Sequence, residues 1–144
     1  MKTRRSRLFL SHVETAECPK DYELSSLDDL LSLEKNSLDE IFVKEAIGMV
    51  SDNKLYSFIE NIISKLKPEG ILHLQDIDIE QFCLYITNKV LPVSAKNILY
   101  TNRINTWHIS QITECLSSMP DLQIKQINFV NGYEFYVQTQ KKDS

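Results

Sequence analysis

An α/β sandwich with a truncated, mostly parallel sheet and a C-terminal antiparallel hairpin is the fold the sequence predicts. Three observations predict it. An amphipathic stretch over 53–66 runs into Pro68, Gly70 and the apolar segment Ile71 to Leu74; a second apolar segment, Leu38 to Val43, precedes it; and Asn131-Gly132 separates two alternating segments near the C-terminus. Strand, helix and strand in that succession make a βαβ unit with parallel pairing. The 144 residues fit one domain, 1–144, large enough to bury a core without disulfides or metals.

The elements follow in order. Arg7 to Val13 carries Leu8, Phe9, Leu10 and Val13 and starts with no capping residue, so it reads as a first strand. Glu14 to Asp21, with Pro19, is a loop, and Tyr22 to Leu24 is a short strand ending at Ser25-Ser26. Ser26 with Asp29 resembles a capping box and opens a helix faced by Leu27, Leu30 and Leu31, which ends near Glu34 to Ser37. The consecutive apolar residues Ile41, Phe42 and Val43 mark a central strand covered on both faces. From Asn53, with Ser51 or Asp52 as cap, Leu55, Phe58, Ile59, Ile62, Ile63 and Leu66 obey helical spacing; Pro68 stops that helix and Gly70 permits the exit into Ile71 to Leu74.

After Asp76, Ile79, Phe82, Cys83, Ile86 and Val90 form one helical face, which Leu91-Pro92 breaks; Ser94 caps a short successor. A further helix from about Thr106 turns Ile109, Ile112, Cys115, Leu116 and Met119 inward and closes at Pro120. Leu122, Ile124, Ile127 and Phe129 then lead to Asn131-Gly132, a pair suited to a two-residue type I′ turn, and Tyr133, Phe135 and Val137 return.

A formal charge of −4 argues against a general affinity for nucleic-acid phosphates, and 42% hydrophobic with 25% charged residues is ordinary for a soluble protein. The basic cluster Lys2, Arg4, Arg5 and Arg7 reads as a solvated end. Only Leu8-Phe9-Leu10 follows it, short of a secretory h-region, and no run approaches the roughly 20 apolar residues of a membrane span. Cys18, Cys83 and Cys115 have no C-x-x-C spacing; with His12, His73 and His108 they give no metal pattern, and a reducing, cytoplasmic setting is expected.

Leu38-Asp39-Glu40-Ile41-Phe42-Val43, the turn Leu66-Lys67-Pro68-Glu69-Gly70, the strand Ile71 to Leu74, the helix before Pro120 and the terminal hairpin together resemble the C-terminal two-thirds of class I S-adenosylmethionine-dependent methyltransferases. The resemblance covers about residues 24 to 140 in order of elements and implies a Rossmann-like methyltransferase sandwich. Asp39 matches the aspartate that commonly opens the family's fourth strand, and Leu66 to Gly70 matches a Leu-Lys-Pro-Gly-Gly-like turn, with Glu69 in place of a glycine. Leu24-Ser25-Ser26-Leu27 followed by Asn36 to Ile41 is similar to small members acting on sugars or cell-surface precursors.

Two departures bear on activity. The family holds its cofactor with a glycine-rich loop after strand one and an acidic residue ending strand two. Here Ser11-His12-Val13-Glu14-Thr15-Ala16-Glu17 contains no glycine, and the first glycine of the chain is Gly48. Only Glu14 to Asp21 separates the first strand from a segment resembling strand three, fewer residues than a parallel crossover needs, so the intervening helix and strand are expected to be missing.

At the strand ends the resemblance places His12 and Glu14, Lys44 and Glu45, and Asp76 with Asp78. Glu45 or Asp76 has the chemistry of a general base and His12 that of a proton shuttle, although solvated loop groups and an unpartnered histidine are the simpler readings. Tyr100, Arg103 and Trp107 offer an aromatic and cationic contact surface, against packing of a connecting segment over the core. No residue is assigned a catalytic or cofactor role and no metal is expected. The expectation is a degenerate, noncatalytic binding or structural component, a pseudoenzyme with no cofactor, that joins a protein partner or self-associates. The alternative is a minimal S-adenosylmethionine-dependent methyltransferase for a small molecule or glycan, completed by a partner chain.

Overall fold

The computed structural model describes residues 6–11, 17–100 and 103–143. Its strands are β1 (Arg7–Leu10), β2 (Glu23–Ser25), β3 (Leu38–Lys44), β4 (Leu66–Ile77), β5 (Leu122–Val130) and β6 (Glu134–Lys141); its α-helices are α1 (Leu27–Leu31), α2 (Leu55–Ile63), α3 (Ile79–Thr87) and α4 (Ile109–Ser117). They form one sheet of order β2-β1-β3-β4-β6-β5. The first four strands are parallel, and β6 pairs antiparallel with both β4 and β5.

Register decides which side chains meet. Leu8 faces Ile41, Ile41 faces Leu72, and Leu74 faces Val137, so the even and odd residues of successive strands line up into one apolar face. Leu30 of α1, Ile59 and Ile62 of α2, and Ile112 and Leu116 of α4 close over that face, all fully buried. Each such side chain contributes about 1.5–3 kcal/mol of burial. The opposite face carries Phe9, Phe42, His73 and Tyr136, whose rings stand in contact from strand to strand.

The structure corrects several boundaries. The first strand stops at Leu10, while Val13 lies outside the described residues. β2 pairs directly and in parallel with β1 across residues 11–22, so the short connection does close a parallel pair. The long helix ends at Ile63, five residues before Pro68. There Ser64 Oγ donates to the Asn61 carbonyl at 2.6 Å and Lys141 Nζ to that of Ile63 at 3.2 Å, satisfying the last turn. Ser37 and Leu38 N–H groups then both bond the Lys65 carbonyl at 2.9 Å, drawing the chain into extension.

Leu66 to Gly70 is therefore the start of β4, not a helix-to-strand turn. Leu38 pairs with Leu66 and Glu40 with Ile71, so two steps on β3 face five on β4. Pro68 is tolerated in this bulge because it owes the ladder no N–H, and Glu69 takes φ 69° there. The terminal turn spans three residues, since Val130 pairs with Glu134; Asn131 (φ 54°) and Gly132 (φ 87°) do adopt the positive angles expected of them. α4 starts at Ile109 rather than about Thr106, with His108 as its cap in a capping box with Gln111. In α3 only Phe82 is buried; Cys83 and Val90 are exposed.

Candidate functional site

The chain runs from β1 outward to β2 and then back past β1 to β3, so the strand order reverses between β1 and β3. In doubly wound sheets ligands bind in the crevice at such a switch point, outside the C-terminal strand ends. A cavity of about 590 Å³ opens there. Leu10 and Ser11 reach it from the end of β1, and Ser26 and Leu27 from the start of α1. Met49 and Val50, in the turns after β3, and Phe58 of α2 make its apolar wall, with Ile104 opposite. Among the described residues Lys54 is the one charged side chain in its lining.

Residues 103–107 strap the neighbouring strand ends. The N–H groups of Ile104 and Asn105 bond the Gly48 carbonyl at 2.8 and 3.0 Å, and Trp107 Nε1 donates to the Ile47 carbonyl at 2.8 Å. Arg103 donates to Asp76 Oδ1, and both side chains are buried. Asp78 caps α3 through Gln81 N–H at 2.9 Å and also accepts from Ile109 N–H at 2.7 Å, tying α3 to α4. Asp76 and Asp78 thus hold the fold together at the strand ends.

Glu45 follows β3 in the left-handed region, φ 64°, with its N–H on the Gln75 carbonyl at 2.7 Å. Burial, reinforced by the charges of Asp76 and Glu134, pushes its carboxyl above the usual range against the opposing charges of Arg103 and Lys44. Neither Lys44 nor Glu45 lines the cavity. His12 and Glu14 lie outside the described residues. Tyr100 is 76% exposed while Trp107 is 2% exposed, so the three residues of the expected contact surface do not make one: Arg103 and Trp107 pack the strap instead.

Sequence reasoning missed a polar layer on the opposite sheet face. Glu40 Oε2 accepts from the Tyr22 hydroxyl and meets His73 Nε2 at 3.1 Å, and His73 Nδ1 meets the Tyr136 hydroxyl at 2.6 Å. The signal was the single polar residue inside Ile71-Leu72-His73-Leu74, but only the register brings Glu40 and Tyr136 beside it. Among the described residues no cluster of histidine, cysteine or carboxylate side chains is arranged to hold a metal ion, and no helix is long and apolar enough to cross a membrane.

The side chains present do not fit S-adenosylmethionine in the manner the sequence resemblance implies. β2 ends in Ser25, whose hydroxyl donates to the Ser26 carbonyl at 2.9 Å, and Ser26 Oγ is occupied by Asp29 N–H at 3.1 Å. The strand itself thus ends without a carboxylate for ribose hydroxyls. A cationic sulfonium gains nothing from the described lining of the cavity, in which Lys54 is the one charge.

Comparison with known proteins fixes the fold. No protein-family model matches the sequence, and no curated protein matches it. Among solved structures it is similar to the PH0226 protein from Pyrococcus horikoshii OT3, with a TM-score of 0.61, 16% identity, and coverage of 85% of this chain and 60% of that one. A SAM-dependent methyltransferase from Aquifex aeolicus gives 0.57 and 16%, covering 85% of this chain and 56% of that one. One from Archaeoglobus fulgidus gives 0.59 and 11%, with coverage of 94% and 86%. The chain spans about 60% or less of the first two. The fold is a class I methyltransferase fold, a Rossmann-like mixed sheet with an antiparallel terminal hairpin, and it is truncated relative to most of these neighbours.

Proposed function

We propose that this chain is a noncatalytic, methyltransferase-like binding component that no longer takes S-adenosylmethionine. The observation that carries this reading is the end of β2, where Leu24 and Ser25 stand in place of an acidic residue that would take the ribose hydroxyls. The glycine-free stretch Ser11 to Glu17 supports it from the sequence side, because side chains at every position keep a backbone away from a cofactor. A fold does not carry an activity by itself.

Calorimetric titration with S-adenosylmethionine and S-adenosylhomocysteine tests it. No heat of binding up to millimolar ligand is expected; stoichiometric micromolar binding overturns the reading. A partner chain or a second copy then supplies the working surface. The nine-residue edge strand β5, with Ile127 and Phe129 47% and 46% exposed, supports self-association through edge pairing. Light scattering that gives a strict monomer at high concentration removes that arrangement. The open cavity at the switch point favours a second reading, a minimal methyltransferase for a small molecule or glycan completed by a partner. Methyl transfer in partner-supplemented assays distinguishes the two.

A further inference from the structure

We infer that the cavity at the switch point is a binding site for an amphipathic monocarboxylate, a medium-chain or aryl acid. The inference rests on the reading that S-adenosylmethionine is not its ligand, and goes beyond it by naming what is.

The walls set the apolar half. Leu10, Met49, Val50, Phe58 and Ile104 converge from β1, the turns after β3, α2 and the strap, and the volume of about 590 Å³ falls within the range of small-molecule sites. Met49 and Ile104 are 42% and 65% exposed, an unusual arrangement for two large apolar side chains that share one concavity.

Among the described residues the polar half holds one charge, the Lys54 ammonium. Lys54, the N-cap of α2, and Phe58 and Asn61 within it stand at i, i+4 and i+7, which spreads Lys54 and Asn61 about 10 Å apart along the axis. Among the described residues no carboxylate pairs with Lys54. The hydroxyls on the same wall already give up their protons locally: Ser57 Oγ donates to the Lys54 carbonyl at 3.2 Å and Ser51 Oγ to Asn53 Oδ1 at 2.9 Å. An entering head group therefore meets an ammonium, and an apolar body behind it meets the aromatic wall. That asymmetry selects an anion over a cation and a tail over a sugar.

The test is calorimetry on the full chain with decanoate, decanol and decylamine as probes, all below their aggregation limits. Saturable one-to-one binding of decanoate is expected, with decylamine at least tenfold weaker. Lys54→Gln should weaken decanoate about two- to fivefold, the worth of an exposed ion pair, and leave decanol unchanged. Met49→Glu, at an exposed wall position, should weaken both decanoate and decanol at least tenfold; Ser57→Trp, on the exposed flank of α2, should do the same by filling the groove. Unchanged circular dichroism confirms that each variant is folded. Amide shifts on adding decanoate should centre on Met49, Ser57 and Asn61. Equal affinity for decylamine, indifference to both wall variants, or no saturable binding overturns the inference. Absence of decanoate binding together with absence of S-adenosylmethionine binding defeats this inference alone, whereas S-adenosylmethionine binding that decanoate does not displace defeats the noncatalytic reading alone.

Discussion

Arg103 lies across the α-carbon of Gly48: a β-carbon there would sit 2.6 Å from Nη1 and 3.1 Å from Cζ of the guanidinium. The glycine is needed for this close approach, since its own φ is not positive. From that position Arg103 reaches the fully buried Asp76. Gly48→Ala should push the guanidinium off and destabilise the fold by about 1–3 kcal/mol. Arg103→Met, which takes the guanidinium away from a buried carboxylate, should cost about 3–5 kcal/mol. In urea unfolding the double variant should be no worse than Arg103→Met alone, because both changes break one contact. Strict additivity would show that Gly48 acts elsewhere.

Glu45 combines a left-handed backbone with a carboxyl held above its usual range, and the two burdens separate by pH. A raised carboxyl means that the folded chain binds the extra proton between the unfolded value, about 4.5, and the higher folded value. Stability therefore falls as pH rises through that window, and the full penalty is present above it. Glu45→Gln should stabilise the protein at pH 7 and make no difference at pH 4. Glu45→Gly should be about 1 kcal/mol more stable than Glu45→Gln at both pH values, by relieving the backbone. Chemical denaturation at the two pH values checks this, and a destabilising Glu45→Gln at pH 7 would mean that the carboxylate has a favourable partner.

Gly132 answers to Tyr85 in a similar way. Its φ is 87°, and an added β-carbon would lie 1.8 Å from the Tyr85 hydroxyl. Gly132→Ala should cost about 2–3 kcal/mol, the sum of backbone strain and displacement of the ring. In a Tyr85→Ala background the same change should cost about 1 kcal/mol, leaving the backbone part only. Thermal unfolding of the four chains of this cycle measures the difference.

Periodicity and turn chemistry carried the order of elements. The spacing of Leu55, Ile59, Ile62 and Ile63, the cap at Ser26 and the pair Asn131-Gly132 each act over a few residues, and each is found where the local pattern puts it. Boundaries failed where distant atoms decide them. Pro68 looks like a helix stop, yet α2 has already ended because Lys141, far along the chain, takes the Ile63 carbonyl. Arg103 and Trp107 look like a contact surface, yet Gly48 and the Ile47 carbonyl draw them inward. The same limit hid the site. Met49, Lys54 and Ile104 belong to no motif, and only the topological reversal between β1 and β3 brings them to one cavity.

The polar layer on the second sheet face is a stability device that depends on one ionised group. Burial raises the Glu40 carboxyl, but hydrogen bonds from Tyr22 and His73, with the charges of His73 and Arg7, outweigh it and hold the group below its usual range. The Tyr22 hydroxyl, pushed up by its burial and by Glu40, stays protonated and remains a donor. A depressed carboxyl contributes stability above its unfolded value, about 4.5, and loses it as pH falls through the folded value. Glu40→Gln should therefore cost about 1–3 kcal/mol at pH 7, where two donors lose a charged acceptor. The gap between wild type and variant should narrow steadily below pH 4.5, since the wild-type group then becomes neutral as well. Guanidinium midpoints across that range decide the matter: a gap that stays constant with pH would mean that the Glu40 carboxylate charge adds nothing to the layer, and that shape and ring stacking around His73 hold it.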